Sequence, residues 1–428
     1  MNLTLPNWGQ TLLSKYQRWM DTWRGRWQGR GFGQARETPL NVDLALLCVI
    51  LALVSIGLVM VYSASIAFDR TWRASHYDGP FHFVMRQGVC AFAGFGAMWL
   101  AAQVPMRLLF RFAPLLAAGA LGLCVLVTFT SAGMVVNGSK RWLGLYKFAV
   151  QPTELLKLMA ILFTARFIHK NAAWLSKGES FKQSLLRAHL PLFACFMLLA
   201  FVLIRQPDYG STVVILTVCL TMLFLANWDY RLVLTFVILA ALLLAFAILN
   251  VKYLKGRFDG YIDPFANEAG SGYQLAHSLY ALGRGGIFGV GLGASIEKIL
   301  YLPEAHTDFI FAVIGEEFGF LGTALMISLF AWVVWRAFAV GQRATMQGQA
   351  YLALVAQGIG MWLALQVIIN MGVNIGMLPT KGLTLPLISY GGTSLIVSLL
   401  TLGVLLRIDR ELRWLEQGYQ HGLGVQDA

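Results

Sequence analysis

The sequence predicts an all-α polytopic membrane protein, with about ten transmembrane helices and one large loop on the outer side. Three observations carry that prediction. Of 428 residues, 57% are hydrophobic and only 13% are charged. The mean hydropathy is +0.64, well above that of a soluble domain. The apolar residues are gathered into runs near the length of about twenty residues that a helix needs to cross lipid.

Taken in order, the first forty residues hold no apolar stretch followed by a small-residue cleavage site, so no cleavable signal is expected. Leu12, Tyr16, Trp19, Trp23 and Trp27 instead recur at helical spacing among Lys15, Arg18, Arg24 and Arg26, which suits a helix lying on headgroups. A disordered basic tail is the other reading. Apolar runs then follow near residues 42–67, 88–104, 108–130, 152–169, 189–204, 210–226, 231–250, 309–338, 350–374 and 386–406. The fifth and sixth are short and separated by Arg205-Gln206-Pro207-Asp208-Tyr209-Gly210, whose proline and glycine stop and restart a helix as a tight hairpin. This organisation divides the chain into a cytoplasmic tail (1–41), a membrane domain (42–410) with an outer loop at 251–307, and a second cytoplasmic tail (411–428).

Lys and Arg outnumber Asp and Glu by 33 to 21, for a formal charge of +12. In such a chain the excess reports orientation and anionic headgroups, which argues against a nucleic-acid partner. Placing the basic clusters inside puts both termini in the cytoplasm and the 251–307 loop outside. The cysteines at 48, 90, 124, 195 and 219 all lie in apolar runs, without metal-ligand spacing or a disulfide pattern.

The polar residues that remain gather on the outer side. In Leu302-Pro303-Glu304-Ala305-His306-Thr307-Asp308-Phe309, an acid sits where a polar loop meets a long apolar helix. There Asp308 could have a shifted pKa and act on a substrate beside Glu304, His306 and Thr307, or Thr307 or Asp308 could simply cap the helix. Lys140 and Arg141, next to Trp142, could hold a phosphate at headgroup level or merely snorkel. Glu154 and Lys157 share a helix face and neutralise one another, for a cavity or for structure alone. Arg205 adds a cation at the hairpin, where turn chemistry is the plainer account.

The segment Tyr273–Gly283 reads as a short helix offering Gln274 and Ser278 to a ligand, and it leads into a glycine-rich stretch at 285–293. Those glycines could build an anion-holding nest or only fold the loop onto the membrane surface. Glu316 and Glu317 lie further along the next helix, packed on polar groups of a neighbour or forming part of an ion path. Last comes Asn370 and Asn374, followed by Pro379, Lys381, Pro386, Ser389, Tyr390 and a Gly-Gly pair, which interrupt apolar sequence and must line protein or a cavity.

Lys140-Arg141-Trp142, Gln151-Pro152-Thr153-Glu154-Leu155-Leu156-Lys157, Pro303-Glu304-Ala305-His306-Thr307-Asp308-Phe309 and Leu385-Pro386-Leu387-Ile388-Ser389-Tyr390-Gly391-Gly392 together resemble the SEDS family (shape, elongation, division and sporulation) from about residue 42 to 410. The run from Asn374 to Pro386 is more similar to the division branch than to the elongation branch.

The resemblance implies a peptidoglycan glycosyltransferase that polymerises lipid II at the outer face of the cytoplasmic membrane, at the division septum. It also implies a class B penicillin-binding transpeptidase as partner, among other divisome membrane proteins and lipid. Carried over, the family's outer-loop acid falls on Asp308 as general base. Lys140, Arg141 and Lys381 would then offset diphosphate charge, alone or with magnesium or manganese. Substrate contacts are expected from Trp142, Glu154, Lys157, Arg205, Gln274, Ser278, Glu304, His306, Thr307, Ser389 and Tyr390. A lipid II flippase gated by Glu154, Lys157, Glu316 and Glu317, or a non-catalytic scaffold, are the competing readings.

Overall fold

The structure is a computed structural model that describes residues 42–72, 81–136, 139–145, 148–172, 190–226, 252–299 and 301–417, with a few positions between 228 and 238. All but four positions of the seventh apolar run, and the aromatic-basic pattern of the tail, lie outside the described residues. Helices α1 (Leu44–Trp72), α2 (His82–Gln103) and α3 (Met106–Phe129) come first. They are followed by α4 (Pro152–Lys170), α5 (Leu190–Arg205) and α6 (Tyr209–Leu225). Two helices of the 251–307 loop, α7 (Lys252–Ile262) and α8 (Tyr273–Gly285), precede α9 (Ile310–Met346), α10 (Ala350–Asn374) and α11 (Gly392–Glu416).

Among the described residues, six helices are long and apolar enough to cross a membrane, and α5 and α6 are shorter apolar ones. The predicted breaks fall where local chemistry demands them. Pro152 opens α4 at a position where its missing N–H is no loss. The α5–α6 hairpin forms as expected: Asp208 caps α6 by accepting from the Ser211 N–H at 3.3 Å.

Three features depart from the expected outline. A three-stranded antiparallel sheet, β1 (Gly133–Val136), β2 (Ser139–Leu145) and β3 (Phe148–Val150), follows α3 and carries Lys140, Arg141 and Trp142. The last helix begins at Gly392, not 386, because Pro386 belongs to a turn closed by Ser389; it then continues to Glu416, beyond the expected boundary at 410. Finally, α9 is 37 residues long, about 55 Å at 1.5 Å per residue, and it breaks at Gly319 (φ 65°, ψ −159°).

That break is required. A Cβ at Gly319 would lie 2.4 Å from the Gly289 nitrogen, where the glycine-rich stretch runs against α9. The two segments are sewn together by Val290 N–H to Glu316 O, Gly291 N–H to Glu317 O and Phe320 N–H to Gly286 O, at 2.9–3.0 Å. The N–H groups of Val290 and Gly291 are therefore already bonded to backbone, and the anion nest anticipated there does not exist.

Helices α10 and α11 are mostly buried, whereas α2, α3 and α9 leave most of their surface to lipid. The main helix pairs are α2 with α11, α9 with α10, and α3 with α4. Although α2 and α3 are consecutive, they pack on different partners and diverge from the turn at Val104-Pro105. At the closed end of the bundle, Asp409 is held by Arg343, by Arg413 at 2.8 Å and by Arg336 at 3.9 Å. Nearby, Arg407 pairs with Glu411 at 2.7 Å. The opposite end carries the sheet and the 251–307 loop.

Candidate functional site

The site grows from one turn. Glu304 adopts a left-handed conformation (φ 56°), and its carbonyl accepts N–H groups from Thr307, Asp308 and Phe309 at 3.1–3.2 Å. The Thr307 hydroxyl donates to a Glu304 carboxylate oxygen at 2.8 Å, which holds that side chain over the turn. The N-cap of α9 is Phe309 and has no side-chain cap, so neither Thr307 nor Asp308 serves the helix terminus.

Asparagines 370 and 374, one turn apart on α10, fix the position of Asp308. Both donate to its main-chain oxygen, at 2.9 and 3.0 Å. Asn374 also accepts from Ala312 N–H at 3.0 Å, and Asn370 donates to Leu383 O at 2.6 Å. The loop at 375–391 is thereby locked to the turn. Two further ties close it: Ser389 Oγ donates to Thr307 O at 2.5 Å, and Tyr390 N–H donates to His306 O at 2.9 Å. Gln87 of α2 then donates to Ser389 O at 3.0 Å.

The half-buried Asp308 carboxyl is pushed up to about 7, first by loss of water around it and then by Glu304, while Arg257 and Arg141 pull in the other direction. Three cations line this mouth. Arg141 reaches from β2 across the α5–α6 turn, donating to Gln206 O at 3.0 Å and Pro207 O at 2.5 Å, with Asp208 at 3.9 Å. Arg257 of α7 donates to Thr380 O at 2.6 Å. Burial and then Arg257 hold the Lys381 ammonium below its ordinary value, opposed by Asp208.

Beside them, Phe83 packs edge-on against His306 (5.1 Å) and Tyr390 (5.2 Å), making an aromatic wall where α2 faces the site. Burial pushes the His306 imidazole down, with Glu304 acting in reverse. Gly382 completes the fit: a Cβ there would stand 2.8 Å from Asp308 Oδ2. The variant Gly382→Ala must displace the carboxylate, and a shift of that order is expected to lower turnover about 10²-fold with little change in thermal stability. Steady-state rates beside a melting curve in detergent check both halves.

Several predicted residues are placed elsewhere. Glu154 and Lys157 form a buried pair at 2.6 Å, and Lys157 also donates to Gln366 at 3.1 Å, which in turn donates to Thr384 O at 3.0 Å. Through Gln366 they are tied to the 375–391 loop. Ser278 is buried and donates to Asn374 O at 2.8 Å, while Ser389 stays at the site, its hydroxyl accepting from Leu385 N–H at 2.8 Å and donating to Thr307 O. Arg205 is exposed and lies over the Phe201 ring at 5.1 Å, which is turn and surface chemistry. Lys140 donates to Thr130 O at 2.5 Å. Trp142 and Gln274 are half-buried.

Glu316 and Glu317 are buried ties, not an ion path. Glu316 accepts from Arg284 at 3.1 Å, Ile296 N–H at 2.9 Å and the Ser295 hydroxyl. Glu317 accepts from Lys298 at 2.5 Å and the Ser63 hydroxyl at 2.7 Å. Residue-type reasoning missed Arg257 altogether, and it noted Asn370 and Asn374 without giving them a role. Their i, i+4 spacing, which places both amides on one helix face, was the available signal.

Comparison with known proteins shows what the chain is similar to. The chain is 43% identical, over 386 residues, to a probable peptidoglycan glycosyltransferase FtsW of Thiomonas intermedia, covering 89% of this chain and 91% of that protein. It is 44% identical to a protein of the same description from Aromatoleum aromaticum, covering 86% and 87%. Among solved structures, a chain from a peptidoglycan synthase complex that coordinates polymerization and crosslinking superposes with a TM-score of 0.68. It is 28% identical and covers 87% of this chain and 99% of that one. The Thermus thermophilus rod shape determining protein RodA matches at 0.62 and 28%, covering 87% and 98%. The sequence model FTSW_RODA_SPOVE, described as a cell cycle protein, matches residues 44–414, and the chain belongs to that family.

Proposed function

We propose that Asp308 is the general base of a peptidoglycan glycosyltransferase that joins lipid II units into glycan strands. The observation carrying this reading is a half-buried carboxyl at the mouth of a membrane bundle, its backbone fixed by Asn370 and Asn374, with Arg141 and Arg257 acting on it and Lys381 next to the Gly382 that packs on it. In the proposed step, a sugar 4-hydroxyl attacks the anomeric carbon of a second lipid-linked glycan from the face opposite the leaving group. The new C–O bond forms as the bond to the polyprenyl diphosphate breaks, with inversion. The hydroxyl proton goes to the Asp308 carboxylate, and the departing electron pair goes to the diphosphate, whose charge the three cations offset. The divergence of α2 from α3 gives a lipid-linked substrate a lateral route, past the Phe83–Tyr390 wall, to this mouth.

Glu304 and Asp308 are neighbouring carboxylates at the mouth, with Asp208 beside Arg141, and among the described residues no cluster of three His, Cys, Asp or Glu side chains is suited to a metal. A magnesium or manganese ion would therefore arrive on the diphosphate, which suits a cation that binds through one or two carboxylates plus substrate phosphates. No step above depends on it. The enzyme works beside a class B penicillin-binding transpeptidase and other divisome membrane proteins, in the cytoplasmic membrane at the septum, with both termini cytoplasmic and Asp308 outside. The end of the bundle rich in arginine, around Asp409, supports that orientation. Gel analysis of products from purified chain and lipid II, with and without the transpeptidase, tests the reading. Glycan ladders are expected, and their absence in both arms would defeat it.

The pH profile gives a sharper check. A base must be ionised, and a raised pKa means that the carboxylate form is lost as pH falls through about 7. Polymerisation is therefore expected to rise with pH up to about 7 and level off above it. Since Glu304 raises this pKa and Arg257 lowers it, Glu304→Gln moves the rising limb to lower pH and Arg257→Met moves it to higher pH. Initial rates across pH 5–9 resolve both shifts, and a limb that stays fixed in both variants argues for a different base.

A further inference from the structure

A second charged site lies at the opposite end of the bundle, between α3 and α4. Helix α4 starts at the sheet beside the outer loops and ends at Lys170, 19 residues on, or about 28 Å at 1.5 Å per residue, close to the thickness of a bilayer core. At that end Arg166 lies over the Phe110 ring at 5.3 Å and Lys170 lies over the same ring at 5.6 Å. Arg166 also donates to Arg111 O at 2.7 Å, and Arg111 sits over Phe112 at 5.9 Å. The cations are thus positioned by rings and a carbonyl, and among the described residues none of the three forms an ion pair.

Two cations gathered on one aromatic ring repel each other unless an anion joins them. Glu411, which also acts on Tyr351 beside the ring, does not serve, because it is engaged by Arg407 at 2.7 Å and by Met106 N–H at 2.9 Å. A further polar group is left over. Tyr351 of α10, packed edge-on against Phe110 at 4.9 Å, is fully buried and its hydroxyl has no hydrogen-bond partner among the described residues. On the outside of α3, Leu108, Phe112 and Leu115 are exposed in line with the cluster, an apolar surface leading away from it.

We propose that Arg111, Arg166 and Lys170 bind the phosphodiester headgroup of an anionic phospholipid, in the leaflet opposite the one that Asp308 faces, with its acyl chains along the exposed side of α3. Charge complementarity selects the occupant: a zwitterionic headgroup would bring its own cation into a cluster already three charges positive. Basic pockets between transmembrane helices recognise anionic headgroups on this principle, and each cation near the surface is worth about a fivefold change in affinity.

Native mass spectrometry of the purified full chain, titrated with phosphatidylglycerol or phosphatidylcholine in detergent, tests the site. Retained phosphatidylglycerol adducts and few phosphatidylcholine adducts are expected. The double variant Arg166→Gln/Lys170→Gln should weaken phosphatidylglycerol binding by about 25-fold, and Arg166→Lys/Lys170→Arg should restore most of it. Equal retention of the two lipids by the unmodified chain overturns the proposal without recourse to any variant. So does undiminished phosphatidylglycerol binding in the neutral double variant with an unchanged melting midpoint.

Discussion

Replacing Asp308 by asparagine is expected to lower lipid II polymerisation by about 10²–10⁴-fold, the contribution a positioned general base typically makes. The protein should remain folded, because every bond that positions residue 308 uses its backbone: Asn370 and Asn374 bind its carbonyl, and its N–H donates to Glu304 O. Asparagine keeps the shape of the side chain and loses only the ability to accept a proton. The residual rate of Asp308→Asn should also lose the rising pH limb near 7. Rates measured with lipid II and the transpeptidase, alongside a melting curve, separate the outcomes. Full glycan synthesis by the asparagine variant would remove this side chain from the chemistry.

The largest expected effect on stability comes from Lys298→Met. Lys298 and Glu317 are both buried and meet at 2.5 Å, with Ser63 of α1 bonded to each of them. Removing the lysine leaves a charged, water-excluded carboxylate, a change that costs about 3–5 kcal/mol. The loss should appear as a lower melting midpoint in detergent and faster proteolysis within 286–300, the segment that this pair fastens to α9. The double variant Lys298→Met/Glu317→Leu removes both charges and should recover most of the stability. If the single and double variants melt alike, the pair is not what secures the loop.

The membrane class and most helix positions were legible because apolar runs of a given length have few alternatives in lipid. The α5–α6 hairpin was legible for a related reason, since Pro207 lies in the break between the helices and Asp208 caps the next one, whereas Gly210 sits inside α6. The sheet at 133–150 was not, because its strands are short and rest on pairing with one another, as in Met134 opposite Trp142, and not on apolar periodicity. Asp308 stood out as an acid at a loop–helix junction, but its neighbours did not. Arg257 lies about 50 positions upstream, and only the folding of the outer loop brings its charge to bear on the acid. Glu154, Lys157, Glu316 and Glu317 pointed to a polar path through the bundle. Residue type alone cannot distinguish an open ionisable group from one paired with a lysine on its own helix, an arginine or lysine of the 251–307 loop, or another span's serine.

The two asparagines on α10 hold the peptide group of residue 308 and leave its carboxyl to Glu304, Arg257 and Arg141. Address and acidity are thus written by different side chains. Chemists wishing to retune this enzyme for a more acidic or more alkaline surrounding can recharge the rim while the reacting atom stays where it is, and drift in sequence has the same freedom.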